Sequence, residues 1–259
     1  KYSRHMLILK VVLVILVFII ITLPLFFVIR FNLNKNITSK AINNVNEYKN
    51  VNNYLLQITE HNIDFERNTE SFHNSKYFYK DNQYKKEMHS ETPGVNIQNA
   101  DSFEYGNINS KEKVEIIETQ KVCYNVKANY ILQKKDGFLD FMMIALQPFS
   151  EDYGTLPNIW VQAGYNLRTD KYNGRKCYVL RLGDKSSYRE IWIDKEQNTL
   201  VRTVDEIYNR SYNEKVYSIK SDVVTNEDVT LPNLTGYTIK DSEDNVPSEY
   251  IGIYEKLGI

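Results

Sequence analysis

At 259 residues the chain has room for one sizeable domain and an appendage. Its net charge of −1 supplies no overall field for nucleic acid or another polyanion. Ten Gly and six Pro exclude a collagen-like or linker-dominated chain, while 13% aromatic residues, with 20 Tyr among them, favour strands.

Residues 1–10 contain Lys1, Arg4 and Lys10 and precede "VVLVILVFIIITLPLFFVI", Val11 to Ile29, which carries no charge. As a helix this run would span ~28 Å, close to the hydrocarbon thickness of a bilayer. Arg30 and Lys35 follow it, so the slight excess of positive charge before the run places residues 1–10 in the cytoplasm and the remainder outside. The competing reading is a cleaved signal peptide, whose apolar core is usually shorter and ends at a small-residue site. No A-x-A-like triplet follows Ile29. The expectation is a single-pass signal anchor over 11–29, in the cell membrane, carrying an extracytoplasmic domain.

Residues 30–36 read as a polar connector. From Ile37 to about Leu56, apolar positions recur every three to four residues, including Ala41, Val45, Tyr48 and Leu55, which predicts an Asn-rich helix. The period then changes to two. "ITEHNIDFER" alternates, and "SKYFYKDNQYKKEMH" predicts a hairpin turning at Asp81-Asn82. Short strands are expected near 102–105 and 113–119, and a long one from Val122 to Leu132. "FLDFMMIALQPF" is apolar around most of its turns and predicts a buried helix ended by Pro148. From Tyr172 to Thr225 four β-type runs are separated by Asn-Gly, Gly-Asp, Lys-Glu-Gln-Asn and Asn-Arg-Ser, a spacing that means consecutive antiparallel strands. Residues 242–259 read as a tail.

Cys123 and Cys177 each point away from the apolar alternation of their own strands, so they form a possible disulfide, with two buried thiols as the alternative.

Signatures of catalysis are missing. The sequence has no G-x-S-x-G, H-E-x-x-H, P-loop or G-x-G-x-x-G motif. His61, His73 and His89 fall in different strand candidates without a companion at ligand spacing, so no metal site, cofactor or catalytic residue is expected. Basic and acidic residues interleave, which excludes a nucleic-acid face. The acidic stretch "EIWIDKEQNTLVR" places Glu190 and Asp194 on one face of a strand but ~13 Å apart, too far to act as a pair. Asp194 reads as a turn opener and Asn198 as the left-handed residue that closes the turn.

Two stretches carry a family resemblance. "YREIWIDKEQNTLVR" resembles the W/Y-I-D-K-x-T-G-L-x-x-R pattern of the LolA-like lipoprotein-carrier superfamily, with Trp192, Asp194, Lys195 and Arg202 matching and Asn198 standing where Gly is usual. "YFYKDNQYKKEM" is similar to that family's early hairpin, again with Asn82 in place of Gly. The superfamily takes in the periplasmic carrier, RseB-type sensors and membrane-anchored Gram-positive relatives of the GerS type. The resemblance implies an α+β fold: after the transmembrane helix, a curved antiparallel β half-barrel over 37–241 with covering helices. It further implies a hydrophobic or acylated ligand in the concave face, with Phe138, Phe141, Met142, Met143, Leu146 and Trp160 as cavity or lid candidates. The alternative it implies is a protein–protein module that senses or activates an envelope enzyme, for instance in sporulation or germination. In both cases a non-enzymatic role is expected.

Overall fold

The computed structural model describes residues 2–92, 100–149 and 161–245. Helix α1 runs without interruption from Tyr2 to Tyr48 and is ~70 Å long. The expected connector at 30–36 is helical. Its Asn-rich composition is a poor helix former, but tertiary hydrogen bonds override that preference. The Arg30 guanidinium donates to the backbone carbonyls of Tyr165 (2.8 Å) and Gly164 (3.2 Å). The buried Asn34 amide donates to those of Gln162 (2.8 Å) and Tyr165 (3.0 Å). α1 also stops short of the predicted Leu56. Lys49, Asn50 and Val51 fold back onto the carbonyls of Asn46, Glu47 and Tyr48, and strand β1 begins at Asn53.

Among the described residues, twelve strands then form one open curved, mostly antiparallel sheet. β1 (Asn53–Asp64), β2 (Thr69–Lys80), β3 (Gln83–Glu91), β4 (Ala100–Asn107), β5 (Glu112–Ile117) and β6 (Val122–Ala128) make one meander. β7 (Asn166–Tyr172), β8 (Arg175–Gly183), β9 (Ser187–Asp194), β10 (Leu200–Ile207) and β11 (Ser211–Ser221) make a second. The antiparallel pairing of β1 with β11 joins them. β12 (Thr238–Asp244) pairs in parallel with β6 at the far edge, so residues 242–244 are strand where the sequence predicts a tail. Residues 246–259 lie outside the described residues.

Turn chemistry fixes the hairpins. Asp81 and Asn82 both take positive φ (48° and 71°), as do Asn173 and Gly174 (48° and 80°), the two-residue geometry that matches strand twist. The "EIWIDKEQNTLVR" stretch is a strand–turn–strand corner. The Asp194 carboxylate accepts from the backbone N–H groups of Glu196 (2.8 Å) and Gln197 (3.0 Å), and Asn198 has φ 53°.

Helix α2 (Gly137–Leu146), continued by a 3₁₀ turn over Gln147–Phe149 that contains Pro148, lies antiparallel to the second half of α1. Asp136 at its start pairs with Lys49, and Gln162 near α1 residue 34 donates to the Pro148 carbonyl at its end (2.7 Å). The two helices cover part of the inner face of the sheet. Ala41 and Val45 of α1 and Phe138, Leu139, Met142 and Leu146 of α2 pack on Tyr54, Leu56, Tyr79, Tyr84, Leu180 and Ile193, all buried. On the outer face, smaller clusters collect around Trp192 and around Tyr105.

Candidate functional site

The helices do not cover the whole inner face. Between the C-terminal half of α2 and strands β1, β2, β9, β10 and β11 lies a half-open groove of about 680 Å³, within the size range of small-molecule sites, ~300–1,000 Å³. Its position follows from strand alternation. In β1 the inward residues are Tyr54, Leu56, Ile58 and Glu60; α1 and α2 close over the first two, while Ile58 and Glu60 face the groove. Tyr77 and Tyr217 form the floor, and Phe141, Ile144 and Val161 form the opposite wall. These last three are 43%, 63% and 42% exposed and form an apolar lip, with the Phe141 ring against that of Tyr77.

Charge gathers at one end of this groove in two neutralised pairs. Lys215 meets Glu60 (3.2 Å), and Arg189 meets Asp205 (2.6 Å). Burial pushes the Glu60 carboxyl up, but the Asn213 amide (2.7 Å) and the Lys215 ammonium outweigh it and hold the group below its ordinary value. Burial also pushes the Tyr217 phenol up to about 12, opposed by its hydrogen bond with Thr203. The site is thus an apolar trough with a polar, net-neutral end and tyrosines that stay protonated at neutral pH. It suits a ligand with an apolar body and a polar head.

The residues predicted from sequence divide into three groups. Phe138, Met142 and Leu146 are buried in the core beneath α2, Met143 packs half-buried against that core, and Phe141 alone of these lines the groove. Trp160 lies outside the described residues. Cys123 and Cys177 are both free and buried, in separate outer-face clusters at opposite flanks of the sheet, so the structure does not bring them together. Burial raises both thiol pKa values. Trp192, Asp194, Lys195 and Arg202 build the outer face around the corner. The Trp192 indole donates to Glu190 (2.9 Å), and Arg202 stacks over the rings of Trp192 and Tyr172. Lys195 sits over the Tyr178 ring. Glu190, buried to 5% exposure, also receives Arg168 (2.9 Å) and Arg181 (3.0 Å). This is a structural knot behind the sheet, on the side opposite the groove.

Sequence reasoning missed Ile58, Glu60, Arg189, Asp205, Lys215 and Tyr217. A signal existed: Glu60 and Lys215 stand at positions whose parity is inward, next to Ile58 and Tyr217 in the same alternation. A charge at an inward position marks where the cover ends.

No protein-family model and no curated protein matches the sequence. Among solved structures the chain is similar to LprF from Mycobacterium bovis (11% identity, TM-score 0.42, covering 78% of this chain and 96% of that one). It is also similar to the lipoprotein LppX from Mycobacterium tuberculosis (10%, 0.39, 75% and 98%). A third likeness is to the Pseudomonas aeruginosa MucA/MucB complex (9%, 0.36), where this chain covers 61% of the matched chain, under two thirds of its length. At these identities the likeness concerns fold alone. The arrangement itself is a curved, mostly antiparallel sheet with helices laid across its inner face.

Proposed function

We propose that this protein is a membrane-anchored, extracytoplasmic, non-enzymatic binding module that takes a hydrophobic or acylated ligand in the inner groove of its sheet. The observation that carries the reading is the groove itself: about 680 Å³, floored by Ile58, Tyr77 and Tyr217 and walled by the exposed Phe141, Ile144 and Val161. Exposed apolar surface in a concave site is costly in water and is offset when an apolar ligand covers it. Anchoring is supported by α1, the one helix among the described residues long and apolar enough to cross a membrane. The orientation follows the flanking charges. A non-enzymatic role fits the three histidines of the sheet, each tied to a strand neighbour: His61 to Glu70, His73 to Ser90 and His89 to Asp101.

Photo-crosslinking tests the reading. The full chain in membranes is irradiated with a diazirine fatty acid bearing an alkyne, and labelled peptides are mapped. The expected labels fall on α2 and on β1, β2 and β11, and Ala145→Trp, which fills the groove, reduces them at least several-fold. Labels spread over the outer face, or unchanged by Ala145→Trp, would refute it.

A second reading is a regulatory module for an envelope protein. The half-open groove with Glu60, Arg189, Asp205 and Lys215 at one end favours it, because an extended peptide carries backbone polarity that such an end can meet. Covalent capture of one specific envelope protein, lost with Ala145→Trp, in a chain whose groove takes no fatty-acid label would decide for this reading.

A further inference from the structure

The absence of a linker between the apolar length of α1 and the domain fixes which edge of the sheet looks at the membrane. α1 passes Arg30 beside Tyr165 and Asn166 at the start of β7, then runs to Asn44, whose side chain meets Gln197 and Thr199 at the opposite end of the sheet. Asn166 stands in a row of paired residues that crosses the sheet: Asn166 with Arg181, Arg181 with Glu190, Glu190 with Val204, Val204 with Glu214, and Glu214 with His61. Whatever lies beyond this row, on the side away from Gln197, lies on the side towards which residues 29–11 leave the domain.

Two hairpin tips lie there. Phe65 is four residues past His61, and Tyr208 is four past Val204, each ~13 Å of strand beyond the row. A tilt of ~45°, as in a strongly curved sheet, still leaves ~9 Å. The tips touch each other, since the Phe65 N–H donates to the Arg210 carbonyl (2.8 Å) and Arg210 pairs with Glu66 (3.1 Å). They present Phe65, Ile207 and Tyr208 at 48%, 50% and 65% exposure. Tyr208 also holds φ at +43°, a left-handed conformation unfavourable for a bulky side chain, while its ring points into solvent. If Ile29 ends the hydrocarbon span, a headgroup layer only ~5–7 Å thick separates Arg30 from water. Tips reaching ~9–13 Å back along the helix pass through that layer.

We propose that the paired tips of the β1–β2 and β10–β11 hairpins insert Phe65, Ile207 and Tyr208 into the leaflet that α1 leaves, holding the domain upright as a second point of membrane contact. The inference rests on the anchor reading of α1. It commits to an apolar contact: Asp64, Glu66 and Glu206 outnumber Arg67 and Arg210 around the tips, so anionic lipid has no net attraction there. It also gives the groove an address. α2 ends, and the groove's charged pairs lie, towards this same edge, so a ligand would enter from the bilayer surface.

The test places single spin labels on the full chain in phosphatidylcholine vesicles and compares collisions with oxygen and with a water-soluble nickel chelate. Labels are introduced as Tyr208→Cys, Phe65→Cys, Glu196→Cys at the far end of the sheet, and Ile20→Cys in α1. The unsubstituted protein gives the background of buried Cys123 and Cys177. The expected result is that the 208 and 65 labels favour oxygen over nickel at least several-fold more than the 196 label does, unchanged by high salt. If the 20 label is deep and the 208 and 65 labels are as water-exposed as the 196 label, docking is overturned while the anchor stands. If the 20 label is itself aqueous, both fail. Shielding of 208 accompanied by spin–spin broadening between copies would assign the tips to a second copy of this chain and overturn the lipid contact.

Discussion

The inner face of the sheet has a closed half and an open half, and one strand runs through both. Tyr54 and Leu56 of β1 are completely buried under α1 and α2, while Ile58 and Glu60, next in the same alternation, face the groove. Strand geometry and side-chain period are the same in the two halves; only the cover differs. The lesson is that two helices, laid antiparallel across a wide curved sheet, are too narrow to bury it all. The uncovered remainder is where a ligand has room. In the closed half buried residues carry stability, and in the open half they shape a surface.

Mutations separate these roles. The largest effect is expected at Leu56→Ala, which leaves a cavity under two helices that cannot collapse and costs ~2–5 kcal/mol. Chemical denaturation of the full chain measures it, and the residual folded protein keeps its photolabelling pattern. A loss below ~1 kcal/mol would mean that the closed half is not close-packed. Gly106→Ala probes the same half from the other direction. A Cβ there would lie 2.9 Å from the Tyr84 ring, whose hydroxyl donates to the buried Glu104 (2.8 Å). Overpacking of this kind costs ~1–3 kcal/mol, seen as a lower thermal midpoint.

The smallest effect is a pH dependence. Tyr217 has its folded pKa raised from 10.0 to about 12, so the stability it contributes is complete below the unfolded value and is lost as pH rises through the folded one. Tyr217→Phe is expected to make the fall of stability between pH 10 and about 12 shallower. Tyr54, in the closed half, is displaced much further by burial, then by Tyr79 and Asp136. Tyrosinate absorbance should therefore show Tyr217 ionising in the folded protein and Tyr54 only on unfolding. Coincident ionisation of both would erase the distinction between the halves.

Much of the fold was legible in the sequence because it rests on local rules. The Asp81-Asn82 and Asn173-Gly174 turns, the Asx turn at Asp194 and the apolar helix over 137–146 depend on residues within a few positions of one another. The continuity of α1 through 30–36 was not legible, because Asn34 and Arg30 are held by carbonyls of residues 162–165, far along the chain. The parallel β12–β6 pair was hidden for the same reason. The site was read in part. Phe141 lines the groove, but Phe138, Met142 and Leu146 turned inward to the core, since one apolar helix gives no indication of which face the sheet will take.

The sequence by itself determined the apolar length of the first helix, the strand periods and the turn positions, all set by backbone sterics and local hydrogen bonds. Only the tertiary structure decided that α1 joins its two lengths as one continuous helix, that Cys123 and Cys177 stand apart, and that Glu60, Arg189, Asp205 and Lys215 meet at the end of a groove. Those outcomes depend on contacts between residues distant in sequence, where register and helix placement, rather than local preference, set the neighbours.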